Sequence, residues 1–163
     1  MQNNELEVVN VRLVKEPSLY SDKAITGPDD AIRLMATELS QYDREVFCIL
    51  NLKADGNVIN MNIASMGTLH NTLVSPREIF KSSILSNAAS IIAVHNHPSG
   101  TITPSREDMA TAKMIKECGE LLGIKVLDHI IVGGENGKTV SFLKEGLMDT
   151  EPAKSRKCMD MER

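Results

Sequence analysis

Aromatic side chains are scarce, at 3% of the chain with no tryptophan, so the core has to be built from Ile, Leu, Val, Met and Ala. Cysteine is nearly as rare. Cys48, Cys118 and Cys158 lie far apart, form no C-x-x-C pair and are odd in number, which excludes a disulfide framework and points to reduced thiols. Cys48 sits inside an apolar run and reads as a small core hydrophobe. Long hydrophobic runs are missing too: nothing approaches the ~20 residues of a membrane span. The start, MQNNELEVV, lacks the basic opening and apolar centre of a signal peptide, so a cytoplasmic protein is expected. There is no excess of positive charge. Lys and Arg total 18 against 22 Asp and Glu, a net charge of −4, which argues against holding nucleic acid by neutralising phosphates. Lys154, Arg156 and Lys157 near the C-terminus are too few, and too mixed with acids, to form a nucleic-acid arm.

What remains is the composition of an ordinary globular domain: 163 residues, 42% apolar and 25% charged, enough for a core without disulfide or metal staples. Residues 6–14, LEVVNVRLV, alternate partly between apolar and polar and read as a strand. Gly27-Pro28-Asp29-Asp30 starts a helix, with Pro at its first position and acids at the positive end of its dipole; Ile32, Met35, Ala36 and Leu39 follow at helical spacing. "EVFCILNL" is a continuous apolar run, expected to be buried on both faces. Asp55-Gly56 makes a hairpin turn, and "VINMNIASMG" returns as its partner. Ser75-Pro76-Arg77-Glu78 has the pattern of a capping box opening a second helix, whose apolar residues are Ile79, Phe80, Ile84 and Leu85. "SIIAV", residues 90–94, is a short buried strand. A third helix runs from near Ser105 to Gly123 with Ala112, Ile115, Cys118 and Leu122 on one face, and "IKVLDHIIVGG" and "KTVSFL" read as closing strands. With no internal repeat and no linker, the chain is expected to be a single α/β domain around a mixed sheet: a lead-in over 1–27, the domain over 28–147 and a loose tail over 148–163.

The segment "IIAVHNHPSGTITPSREDM", residues 91–109, carries the chemistry. Residues at i and i+2 of an extended chain point to the same side, so His95 and His97 can both reach one ion where the strand ends. Asp108 is the obvious third ligand, since the loop Pro98 to Pro104 can fold the next helix's first turn back over the strand end. Two neutral imidazoles and one carboxylate suit Zn²⁺, leaving a position open for water. Hydrolysis also needs a general base, for which Glu45, at the start of the buried run, is the candidate. Ser105 would lie close enough to donate a hydrogen bond to an oxyanion.

These residues carry a resemblance. His95-Asn96-His97, seven residues, Ser105, two residues and Asp108, with Glu45 upstream, match the signature of the JAMM (JAB/MPN) metalloprotease family at every required position. The chain resembles the RadC-like branch most closely, through "SPREIFKSSILSNAASIIAVHNHPSG", "PSREDMATAK" and "LDHIIVGG", over roughly residues 28–147. The resemblance implies a JAB/MPN-like fold and a zinc site with ligands His95, His97 and Asp108. It implies Glu45 as acid and base, Ser105 as oxyanion donor, and a protein or peptide substrate cut at an amide or isopeptide bond. The branch is tied by name to DNA repair, and its longer members carry an N-terminal helix-hairpin-helix segment of DNA-binding type. The stretch before residue 28 leaves no room for one.

Plainer readings compete. S-x-x-D before an apolar helix is also an ordinary capping box, and an acid at a strand start is often a solvated edge residue. His129, after Asp128 in a strand, fits an exposed pair or a buried hydrogen-bonded histidine better than a fourth ligand. His70, in "GTLHNT", reads as a loop residue that could line a groove. A non-catalytic MPN-type binding module and a repair-associated protein acting at nucleic acid are the alternatives to a hydrolase. A homodimer is compatible with the edge hairpins.

Overall fold

A computed structural model describes residues 26–67, 74–134 and 137–148. The expected strand at 6–14, His70, Cys158 and the tail residues Lys154, Arg156 and Lys157 lie outside the described residues. The elements run α1 (Pro28–Leu39), β1 (Val46–Leu52), β2 (Val58–Met66), α2 (Pro76–Leu85), β3 (Ser90–His97), α3 (Arg106–Leu122), β4 (Lys125–Gly133) and β5 (Thr139–Ser141). The strands form one mixed sheet in the order β2-β1-β3-β4-β5. β1 is antiparallel to both β2 and β3, β3 is parallel to β4 through the α3 crossover, and β5 returns antiparallel to β4.

The sheet is buried on both faces because its central strands are predominantly apolar. β1 is buried along its whole length, apolar at every position but Asn51. Even-numbered positions of β1, β3 and β4, including Cys48, Leu50, Ile92, Val94, Ile130 and Val132, pack on Ala31, Met35 and Leu39 of α1. Odd-numbered positions, Phe47, Ile49, Ile91 and Ala93, pack on Ile79 and Phe80 of α2 and Ile115 of α3. Burial pushes the Cys48 thiol up to about 12, so it packs as an inert apolar group. The β1–β2 turn places Gly56 at φ 85°, the left-handed conformation the Asp-Gly pair supplies cheaply.

Two helices differ from the sequence pattern. Ser75 caps α2 by its backbone conformation but makes no side-chain cap bond, and Glu78 pairs with Lys81 at 2.6 Å, so the expected capping box does not form there. The buried stripe of α2 is Ile79, Phe80, Ser82 and Ser83, while Ile84 is 56% exposed and Leu85 is also exposed. Ser82 is buried against a polar part of the sheet: Asn51 of β1 donates to Ser82 Oγ at 3.1 Å and to Asn60 Oδ1 at 2.7 Å, whereas the buried Ser83 hydroxyl has no partner among the described residues. On α3 the stripe passes through Ala112, Ile115 and Gly119, and Leu122 is exposed.

Gly119 lets α3 lie close to the start of β4. A Cβ added there would meet Ile124 O at 2.5 Å and Val126 Cγ2 at 2.8 Å. Gly119→Ala gains helix propensity, about 1 kcal/mol, but the backbone oxygen cannot rotate out of the way. The variant should lose about 1–3 kcal/mol by overpacking, read as a lower urea midpoint at unchanged m-value.

Candidate metal centre

The last residues of β3 divide between the two faces of the sheet. His95 and His97 continue the odd-numbered side, toward α3; Asn96 points the other way, toward α1. Beyond His97 the chain turns sharply. Gly100 N–H donates to His97 O at 2.9 Å, with Gly100 at φ 79°, and Gly134 N–H donates to the same carbonyl at 2.9 Å. Gly134 comes so near that a Cβ there would stand 2.8 Å from Pro98 O. The loop then doubles back and delivers Ser105 as the N-cap of α3, with Asp108 in its first turn.

Three ligand atoms meet as the spacing predicts. One each from His95, His97 and Asp108 lie within 4.8 Å of one another. His95 Nε2 is 3.0 Å from His97 Nε2 and 3.1 Å from Asp108 Oδ1, and His97 Nε2 is 3.5 Å from Asp108 Oδ2. Donors at ~2.0–2.1 Å around a tetrahedral ion stand roughly 3.3 Å from one another, so these edges are those of a small cation's coordination shell. The far ring nitrogens are engaged. His97 Nδ1 bonds Thr101 O at 2.6 Å, and since a carbonyl only accepts, that nitrogen carries the proton and the neutral ring leaves Nε2 as a lone pair. His95 Nδ1 lies 2.9 Å from His129 Nε2.

The charges agree with this arrangement. Burial pushes the Asp108 carboxyl up, but His95 and His97, whenever they carry a proton on Nε2, and the Ser105 hydroxyl together hold it far below the usual carboxylate range, so it is an anion at any ordinary pH. The hydrogen bond with Asp108 raises His97 against the opposing effect of burial, and Glu45 adds to the rise.

Ser105 serves the helix. Its Oγ accepts from Asp108 N–H at 3.0 Å and donates to Asp108 Oδ2 at 2.7 Å, while Ser105 N–H donates to that same oxygen at 2.7 Å. The capping box and the ligand set are therefore the same residues: the cap orients the carboxylate, whose other oxygen faces His95. The Ser105 hydroxyl proton is directed at Asp108 here rather than into the open side of the centre.

Glu45 is half-buried just ahead of β1. The register that pairs Phe47 with His95 carries it toward His97, whose charge it influences. Asn96 brackets it: the side-chain oxygen accepts from Val46 N–H at 2.7 Å and the amide donates to Arg44 O at 3.0 Å, fixing the backbone on both sides of Glu45. Nothing in the sequence flagged Asn96; the fold reveals its role because Arg44 and Val46 lie at the start of the neighbouring strand β1 and just ahead of it. His129 is buried and hydrogen-bonded to a proposed ligand, stacked on Phe142 at 4.7 Å, and contributes no ligand atom to the cluster.

A polar cleft of 630 Å³ lined by Tyr42, Asp43, Pro98, Ser99 and Gly134 opens beside the chain that precedes Glu45 and follows His97, and its lining includes neither Glu45 nor a residue of the His-His-Asp cluster. A larger cavity of 680 Å³, lined by Gly119, Gly123, Lys125 and Leu127, lies at the opposite end of β4 and contains none of the ligand residues.

Comparison with known proteins agrees with the fold and with the spacing. The family described as RadC-like JAB domain matches residues 25–147. A UPF0758 protein of Caldanaerobacter subterraneus is 43% identical over 128 residues, covering 78% of this chain and 54% of the relative. One from Staphylococcus haemolyticus is 44% identical over 125 residues, covering 77% and 54%, and one from the archaeon Methanosarcina mazei is 40% identical over 135 residues, covering 83% and 56%. The chain thus spans just over half the length of these relatives. With a mixed five-stranded sheet, a His-His-Asp cluster at the end of β3 and a match across residues 25–147, the chain belongs to the RadC-like JAB domain family.

Proposed function

We propose that this domain is a zinc-dependent hydrolase of amide bonds, acting on a peptide or isopeptide. The observation that carries the reading is the convergence of His95 Nε2, His97 Nε2 and an Asp108 oxygen on one point, with both rings fixed through their other nitrogens. Such a donor set, two imidazoles and a carboxylate with one side open, fits Zn²⁺ in a catalytic setting. When bound, the ion supplies a Lewis acid and brings the pKa of water at its open position to about 7.

The chain's own residues do the rest. Glu45 takes a proton from the attacking water and returns it to the leaving nitrogen, a transfer worth about 10²–10⁴ in rate. Asn96 holds the backbone of Glu45 in place for both transfers. Ser105 donates to the developing oxyanion, for which its hydroxyl rotates away from Asp108 while the backbone N–H keeps the carboxylate oriented. Among the described residues no helix is long and apolar enough to cross a membrane.

Metal analysis tests the first half of this reading. The purified protein should hold one zinc per chain, and His97→Ala should hold none. With a quenched peptide or isopeptide substrate, Glu45→Gln should keep its zinc and lose about 10²–10⁴-fold in kcat. Unchanged turnover in that variant would remove Glu45 from the chemistry.

Acidity should release the ion. Zinc and a proton compete for His97 Nε2, and the folded pKa of that ring is raised above its ordinary value of about 6.5. The proton therefore competes from a higher pH than for a free imidazole. Apparent zinc affinity should be flat at alkaline pH and fall by about tenfold per pH unit for each proton displaced, starting above pH 6.5. An affinity constant between pH 8 and pH 5 would show that the imidazoles are not the ligands.

A further inference from the structure

His129 is a polar ring in a setting that gives it little else to do. It is buried on β4 opposite Ala93, stacked on Phe142 at 4.7 Å and edge-on to Phe47 at 5.5 Å. The small Ala93 leaves room for the His95 ring, two residues further along β3, to lean across the sheet and meet it. Among the described residues the ring's only hydrogen bond is the 2.9 Å contact between Nε2 and His95 Nδ1; its buried Nδ1 has no partner. An unmet buried polar nitrogen is destabilising, and a hydrocarbon side chain among these phenylalanines would leave none. Packing alone does not account for a histidine here. The contact with His95 does.

We propose that His129 is a positioning residue for the metal centre: its Nε2 accepts a hydrogen bond from His95 Nδ1–H and so holds His95 in the tautomer and rotation that offer Nε2 to a divalent cation. Metal-ligating histidines gain affinity when the second ring nitrogen is held in this way. The inference rests on the metal-binding reading above. The neighbouring Asp128 secures the arrangement from behind. Its Oδ1 accepts from Leu143 N–H at 2.9 Å and its Oδ2 from Ser141 Oγ–H at 2.6 Å, which pins the residues on both sides of Phe142 and keeps that ring against His129.

Two variants separate positioning from packing. In His129→Phe an aromatic ring, somewhat larger, stays and the acceptor goes. In His129→Gln an acceptor stays, at the cost of an amide group among phenylalanines. Zinc affinity, measured by competition with a chromogenic chelator, should be about 10–100-fold weaker for His129→Phe and near that of the parent protein for His129→Gln. Thermal unfolding of the zinc-free proteins should run the other way, with His129→Phe at least as stable as the parent and His129→Gln less stable. Cobalt-loaded protein gives an independent readout, since a shifted visible spectrum in His129→Phe alone would report a re-aimed His95. Parental affinity and spectrum in His129→Phe would overturn the proposal, as would equal weakening in both variants. A parent protein that binds no zinc would instead remove the metal reading, and this inference with it.

Discussion

Side-chain alternation along β3 splits three consecutive residues between two sides of one sheet, and the candidate site depends on that split. His95 and His97 face α3 and can share an ion; Asn96 faces α1 and reaches across to the backbone around Glu45. A slip of one residue in the pairing of β1 with β3 would reverse every side chain of one strand, exposing its apolar set to the wrong layer and carrying Glu45 away from His97. Burial of both faces makes such a slip prohibitive. The hydrophobic core therefore sets the position of the base relative to the ligands.

A second constraint comes from α3. Its first turn must present a carboxylate to the strand end, and that carboxylate is also the reciprocal partner of the N-cap serine. Helix start and ligand geometry are the same set of hydrogen bonds, so the side chain that binds does not rotate freely before binding. Further along, Gly119 brings the helix down onto the start of β4, fixing the crossover between the strands that carry His95 and His129. The pieces of the candidate centre are held by strand pairing, a capping box and a close helix–strand contact.

Much of this was legible in residue spacing, and the parts that were not share a cause. His95, His97 and Asp108 lie in one strand–loop–helix unit, where local periodicity fixes which side chains converge. Glu45 joins them through strand pairing across about fifty residues, and its choice as candidate base was strengthened by the resemblance. Asn96 and His129 act through neighbours on other strands, and no spacing rule reaches across a sheet. The same blindness explains α2, where the apolar residues Ile84 and Leu85 suggested a face that is exposed, because the neighbouring surface of β1 and β2 presents asparagines that suit serine instead. At Ser75 the capping pattern was present but Glu78 found Lys81 within its own helix, while the same pattern at Ser105 was completed by two imidazoles.

The ligand set is short-range in the chain and the proposed base is not, and this has a consequence for how the centre comes together. Closing the loop within residues 95–108 costs little entropy, so a strand end and a first helical turn can grip a cation while much of the polypeptide is still unordered. Glu45 arrives only when the antiparallel pairing of β1 is complete. On the proposed reading the chain would capture its ion before it could use it, and a half-assembled domain would be a metal carrier without a proton shuttle.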